Sequence, residues 1–395
     1  MRVQDVDSVP GPKLAGQKAL RAVLVFATAV ASLTVALSLA EVLLRLLLPV
    51  PAANLRHPYI NQYVRMERPP HYSAVIEPEQ GLPGVDGTGH YSINGHGFRG
   101  SELEVPKPPD EFRIFAVGGS TTECYIIDDA DAFPEVMEQE LTPLAGRETT
   151  IQVYNAGVSG AASDDHVAMI AQRLVHLEPD LIIVFSGIND LTRSIYGIDP
   201  LHYTQPFPKP RGRSRLLELR VFSSLWSRFG GSPSESCTQE QMTSTRKKIE
   251  LQAKHPEVPE APRIDTTPYA NNLRTIAGLA SAHGFRLVFM TQQTTWNSTT
   301  DSATGAWQYM RYRNGKTYSE TSMDSAMERF NDVMRAVAVE SEVPLYDLAC
   351  RIPKSLDYFY DDCHFNTQGS RTTGRELAHF LVAEGLVPLA SPCLR

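Results

Sequence analysis

The chain has 395 residues, room for one large domain or two small ones. With 42% hydrophobic and 21% charged residues, its bulk is globular rather than disordered. A net charge of -8 argues against nucleic acid as its main partner.

Residues 1–21 carry Lys13, Lys18 and Arg21 and read as a cytoplasmic amino terminus. Ala22 to Ala40 contains neither charge nor proline. As a helix this stretch spans ~28 Å, about the thickness of a hydrocarbon core. Glu41 and Arg45 follow at i,i+4, and the apolar run resumes until Pro49. Residues 22–48 are therefore expected to be an uncleaved transmembrane anchor. The rival reading is a signal peptide cut after Ser38-Leu39-Ala40, but the apolar run continues past that point. Either reading puts the rest of the chain outside the cytoplasm. Residues 49–110 are rich in proline, glycine and tyrosine and read as a stalk followed by a small cap.

From residue 111 strands alternate with helices. Phe112–Val117, Ile151–Asn155, Leu181–Phe185, Arg286–Thr291 and Pro344–Leu348 read as strands. Ala132–Leu141, Asp164–Leu177, Ala270–His283, Ser322–Glu340 and Thr372–Glu384 read as helices. Leu181–Phe185 is apolar throughout, as in a strand buried on both faces. This alternation predicts an α/β domain over 111–390, with a central parallel sheet between two helical layers. An insertion at about 200–268 breaks the rhythm. Within it, Lys209, Arg211, Arg213, Arg215, Arg220 and Arg228 are interleaved with Leu216, Leu219, Phe222, Leu225, Trp226 and Phe229. That pattern fits a basic helix on a membrane surface or a helix capping the site.

Four blocks follow predicted strands, so all four face the carboxyl edge of the sheet, where open α/β sheets bind ligands. Gly118-Gly119-Ser120 ends the first strand and offers a hydroxyl nucleophile. Asn155-Ala156-Gly157-Val158-Ser159-Gly160 ends the second, and glycine there lets a backbone N–H approach a substrate. Ser186-Gly187-Ile188-Asn189-Asp190 ends the third, and an asparagine N–H suits an oxyanion. Tyr360-Asp361-Asp362-Cys363-His364 follows the fifth, with an acid and a histidine three apart. Any one block is as readily a turn or a helix cap; their joint placement is what points to chemistry. Asp362 is the rival orienting acid. Gln292, Gln293 and Trp296 follow the fourth strand and are candidate pocket residues, though a plain polar loop fits equally.

Together these blocks resemble the SGNH (GDSL-type) hydrolase family over about residues 111–390. Its signature residues fall on Ser120, Gly157, Asn189 and His364, with Asp361 matching its Asp-x-x-His acid. The Gly-Gly-Ser-Thr-Thr form, the Asn94…Gly97-Phe98-Arg99-Gly100 stretch and the amino-terminal span resemble the membrane-anchored bacterial subgroup. The resemblance implies a flavodoxin-like three-layer fold and a serine esterase. Ser120 would attack, His364 act as base and Asp361 orient it, with Ser120, Gly157 and Asn189 holding the oxyanion. It implies a single-pass protein of the bacterial inner membrane with a periplasmic domain, acting on a glycan or lipid ester. Transfer of an acyl group to an extracellular polysaccharide is the alternative, and an inactive glycan-binding protein the least favoured. No metal or cofactor is expected. Cys124, Cys237, Cys350, Cys363 and Cys393 have no metal-ligand spacing. Cys124 and Cys363 flank Ser120 and His364 closely enough that a disulfide is conceivable, but buried thiols are the preferred reading.

Overall fold

The computed structural model describes residues 12–47, 64, 66–78, 81–85, 87–146, 148–198, 249–299, 302–313 and 315–390. The basic stretch Lys209–Phe229, Cys237, Cys393 and most of the expected stalk lie outside them. The chain divides into two units, 1–55 with 208–233, and 56–207 with 234–395.

The described part of the first unit is one helix, α1 (Pro12–Leu47). Its Leu20–Ala40 stretch of 21 residues is long and apolar enough to cross a membrane, and none of it is buried in protein. A span and a signal peptide both fit that description. The hydroxyls of Thr34 and Ser38 donate to the carbonyls of Val30 and Thr34, both at 2.8 Å. These two hydroxyls are thus satisfied by the helix's own backbone, as an apolar medium requires.

In the second unit a hairpin of β1 (Ser73–Ile76) and β2 (Gly89–Ser92) precedes the main sheet. It lies in the region expected to be an irregular cap. The main sheet holds β3 (Glu111–Gly118), β4 (Thr150–Gly157), β5 (Leu181–Phe185), β6 (Arg286–Met290) and β7 (Leu345–Tyr346). All are parallel, in the order β4-β3-β5-β6-β7. The chain runs outward from β3 to β4, then returns past β3 to β5. That reversal opens a crevice at the carboxyl end of β3.

Successive strand residues face opposite sides, and both faces here are apolar. Phe115, Val117, Ile182, Val184 and Phe289 pack under α3 (Ser163–Gln172), α5 (Thr267–His283) and α6 (Glu320–Glu340). Ile114, Leu181, Ile183, Phe185 and Met290 pack under α2 (Phe133–Leu141) and α7 (Thr367–Ala383). The parallel, double-faced sheet read from the apolar runs is therefore the observed one. A further helix, α4 (Ile188–Ile195), starts directly after β5. The expected helix over Asp164–Leu177 stops earlier: Arg173 leaves helical geometry, and Leu174–Leu177 is a 3-10 turn.

The register fixes where the loops emerge. Gly118 pairs with Gly157 on one side and Phe185 on the other, and Phe185 pairs with Met290. Four strands end level, so four loops open onto one edge. The outer edge of β4 is covered rather than left open. Arg99 and Asn155 exchange backbone hydrogen bonds of 3.0 and 2.9 Å, and the Val153 N–H donates to Glu138 at 2.5 Å. An edge so occupied cannot template another strand.

Candidate active site

Two glycines make the turn after β3 tight enough to expose Ser120. A Cβ on Gly118 would lie 2.0 Å from the Thr122 hydroxyl and 2.7 Å from the Phe185 carbonyl. One on Gly119 would lie 2.6 Å from Asn189 Nδ2. The backbone then makes a single helical turn, Ser120–Glu123, which ends at Cys124 in the left-handed region (φ 52°). Ser120 is the first residue of that turn, so its N–H has no partner within it.

His364 and Asp361 come from the loop between β7 and α7. Phe359 and Phe365 bridge across it, and the Tyr360 N–H donates to the His364 carbonyl at 3.0 Å. Asp361 Oδ1 accepts from the N–H groups of Cys363 (3.0 Å) and His364 (2.8 Å). The same carboxylate meets His364 Nδ1 at 2.7 and 2.9 Å. Nδ1 donates, because the carboxylate only accepts. Nε2 is left as an acceptor 2.7 Å from Ser120 Oγ. Tyr360 stacks on the imidazole, with ring centroids 5.5 Å apart and planes within 9°. Burial disfavours the charged imidazole, but Asp361 together with Cys363 and Tyr360 more than offsets it and holds the His364 pKa well above its ordinary value. Burial would also raise the Asp361 pKa, yet His364 and the two N–H donors bring it below the usual carboxylate range.

The third loop brings Asn189 beside Gly119. Its Nδ2 donates to the Ala161 carbonyl at 2.8 Å, which uses one of its two N–H bonds. The strand order, the Ser-His-Asp arrangement and this amide converge on one crevice.

Residues 116–372 match the family described as GDSL-like lipase/acylhydrolase. The chain belongs to this family. It is accordingly an ester-bond hydrolase. Among solved structures it is similar to LAE5, an alpha/beta hydrolase enzyme from the metagenome of Lake Arreo, Spain. That match has 15% identity over 69% of this chain and 95% of the other, with a TM-score of 0.39. An acetylxylan esterase from Geobacillus stearothermophilus matches at 14% identity over 69% and 93%, with a TM-score of 0.37. Comparison with curated proteins gave no match.

In this GDSL-family hydrolase several residues sit elsewhere than expected. The Gly157 N–H donates to Asn155 Oδ1 at 2.9 Å and so is committed inside the protein. A Cβ on Gly157 would lie 2.3 Å from the Glu123 nitrogen, so this glycine lets β4 pack against the Ser120 turn. The glycine with left-handed backbone in that loop is Gly160 (φ +84°), next to the Ala161 carbonyl that holds Asn189. The second glycine of the Asn155–Gly160 block was the available signal for it. Asp362 is not beside the imidazole. It is fully buried, accepts from Trp296 Nε1 (2.7 Å), the Tyr309 N–H (2.7 Å) and the Met310 N–H (3.1 Å), and is raised to about 6 by burial and by Asp361.

The pocket candidates are buried supports. Gln293 donates to the carbonyls of Ala349 (2.7 Å) and Ile352 (2.6 Å), and Gln292 to that of Gln293 (2.9 Å). Trp296 has no exposure and is tied to Asp362. Buried carbonyls need donors, and this loop supplies them instead of facing solvent. Cys124 and Cys363 are free buried thiols, so no disulfide joins them. Gln293→Ala is expected to cost about 1–3 kcal/mol of stability by orphaning buried carbonyls, while KM for a soluble ester stays unchanged. Denaturant unfolding and steady-state kinetics check this; a raised KM at parental stability would return Gln293 to the pocket.

Proposed function

We propose that the protein is a serine esterase that removes a short O-acyl group through Ser120, His364 and Asp361. The observation that carries this is the unbroken chain from Ser120 Oγ through His364 to Asp361, with contacts of 2.7 Å at both ends. Ser120 Oγ attacks the ester carbonyl while Nε2 takes its proton. Asp361 keeps Nδ1 protonated and stabilises the imidazolium. The carbonyl oxygen becomes an oxyanion, held by the N–H groups of Ser120 and Gly160 and by the second N–H of Asn189. Collapse expels the alcohol, which takes the proton from Nε2. Water, deprotonated by the same nitrogen, then releases the acid from the acyl-enzyme.

The apolar helix α1 supports a place outside the cytoplasm, tethered to the bacterial inner membrane. Acyl groups on a cell-surface glycan are substrates such a tether would reach. A helix so placed leaves the hydrolase unit open to added protease in spheroplasts; protection until lysis would contradict it.

Ser120→Ala is expected to lower kcat on p-nitrophenyl acetate by roughly a million-fold. Turnover near the parental value would sink the assignment. The pH dependence follows from the raised His364 pKa. The neutral imidazole is the base, so a raised pKa keeps it protonated to higher pH. The value of kcat/KM should therefore fall as pH drops through a midpoint above the ordinary histidine value of about 6.5. A profile flat from about pH 5 to 8 would contradict a histidine base.

A further inference from the structure

The segment ahead of β3 reaches beneath the Ser120 turn. Arg99 is 3% exposed, and all five of its guanidinium N–H bonds have acceptors nearby. Nη1 donates to the carbonyls of Glu123 (2.8 Å) and Cys124 (2.7 Å). Nη2 donates to that of Ile127 (2.5 Å) and more weakly to that of His90 (3.4 Å). Nε donates to Asp129 Oδ1 at 2.6 Å, and the guanidinium lies 4.9 Å over the Tyr91 ring. The Asn155 amide takes the Thr122 carbonyl at 2.7 Å. A helix of one turn cannot satisfy its own last carbonyls. Here three successive ones, at 122, 123 and 124, are held by Asn155 and Arg99.

The Glu123 side chain fastens the other side of the turn. It is buried, and it accepts from Tyr91 Oη (2.8 Å), the Ser159 N–H (2.7 Å) and the Ser159 hydroxyl (2.5 Å), with Arg68 as its ion-pair partner. Ser159 adjoins Gly160. The nucleophile turn and the loop after β4 are thus locked together from below, largely by residues ahead of the family-matched segment 116–372.

We propose that Arg99 is a positioning residue for Ser120: its guanidinium, oriented by Asp129, sets the Ser120–Cys124 turn so that Oγ meets His364 Nε2. This rests on the reading of Ser120 as nucleophile. Lysine offers three donors on a flexible stem and cannot reproduce the fork. In the full-length protein, Arg99→Lys is expected to lower kcat per titrated active site on the order of 10- to 100-fold. KM should stay within about twofold, as for an interaction that acts in the transition state rather than in ground-state binding. The acid limb of the pH profile should not move, because His364 and Asp361 are untouched. Added guanidinium should restore part of the rate to Arg99→Ala. A merely structural role would reduce the number of titratable sites and leave kcat per site at the parental value. That result, in Arg99→Lys or, should this variant not fold, in Asp129→Asn, overturns the proposal. Parental turnover in Ser120→Ala would instead overturn the nucleophile reading itself. A dead Ser120→Ala beside fully active Arg99 and Asp129 variants overturns this inference alone.

Discussion

The parallel register of the central sheet is the constraint on which the site depends. Gly118, Gly157, Phe185 and Met290 end level in this register, which also sets which apolar side chains meet which helical layer. A slip of one residue in β5 would turn Leu181, Ile183 and Phe185 out of the α2–α7 layer and carry the Asn189 loop away from Gly119. The meeting of Ser120, Asn189 and His364 at the crevice is therefore a consequence of hydrophobic packing well beneath it. Bare glycine backbone then lets three loops approach to distances that a methyl group would block.

Electrostatics divides two adjacent carboxylates into different roles. Asp361 and Asp362 are neighbours in sequence and both are buried. Asp361 faces the imidazole and two backbone N–H groups, which favour its charged form. Asp362 faces an indole N–H and two backbone N–H groups of residues 309 and 310, yet burial, and Asp361 alongside, push it up to about 6. One fixes the histidine, and the other clamps the loop that packs behind it. Glu123 is a third buried acid, and it joins the Ser120 turn to the loop that carries Gly160.

Strand ends were legible in the sequence because each is an apolar run cut by glycine, serine or a polar cluster. Leu181–Phe185 is found with the bounds expected of it, and the family follows from the blocks after these strands. The internal commitment of the Gly157 N–H was not legible. Spacing does not reveal that Asn155, two residues earlier, takes the Gly157 N–H for itself. The polar run from Gln292 to Trp296 misled for a similar reason: glutamine and tryptophan donors serve solvent-facing loops and buried carbonyls alike. Arg99 was visible only as part of a glycine-rich stretch. Its burial depends on long-range contacts with Glu123, Cys124 and Ile127 that no local periodicity encodes.

The central claim is that Ser120 is the nucleophile, activated by His364. A fluorophosphonate reacts with a serine activated in this way and leaves a phosphonyl adduct on its oxygen. Peptide mass spectrometry of the labelled full-length protein should place that adduct on Ser120 and show it lost in His364→Ala. An adduct on Ser159 or Ser186 instead, or labelling of Ser120 undiminished without the imidazole, would contradict the account.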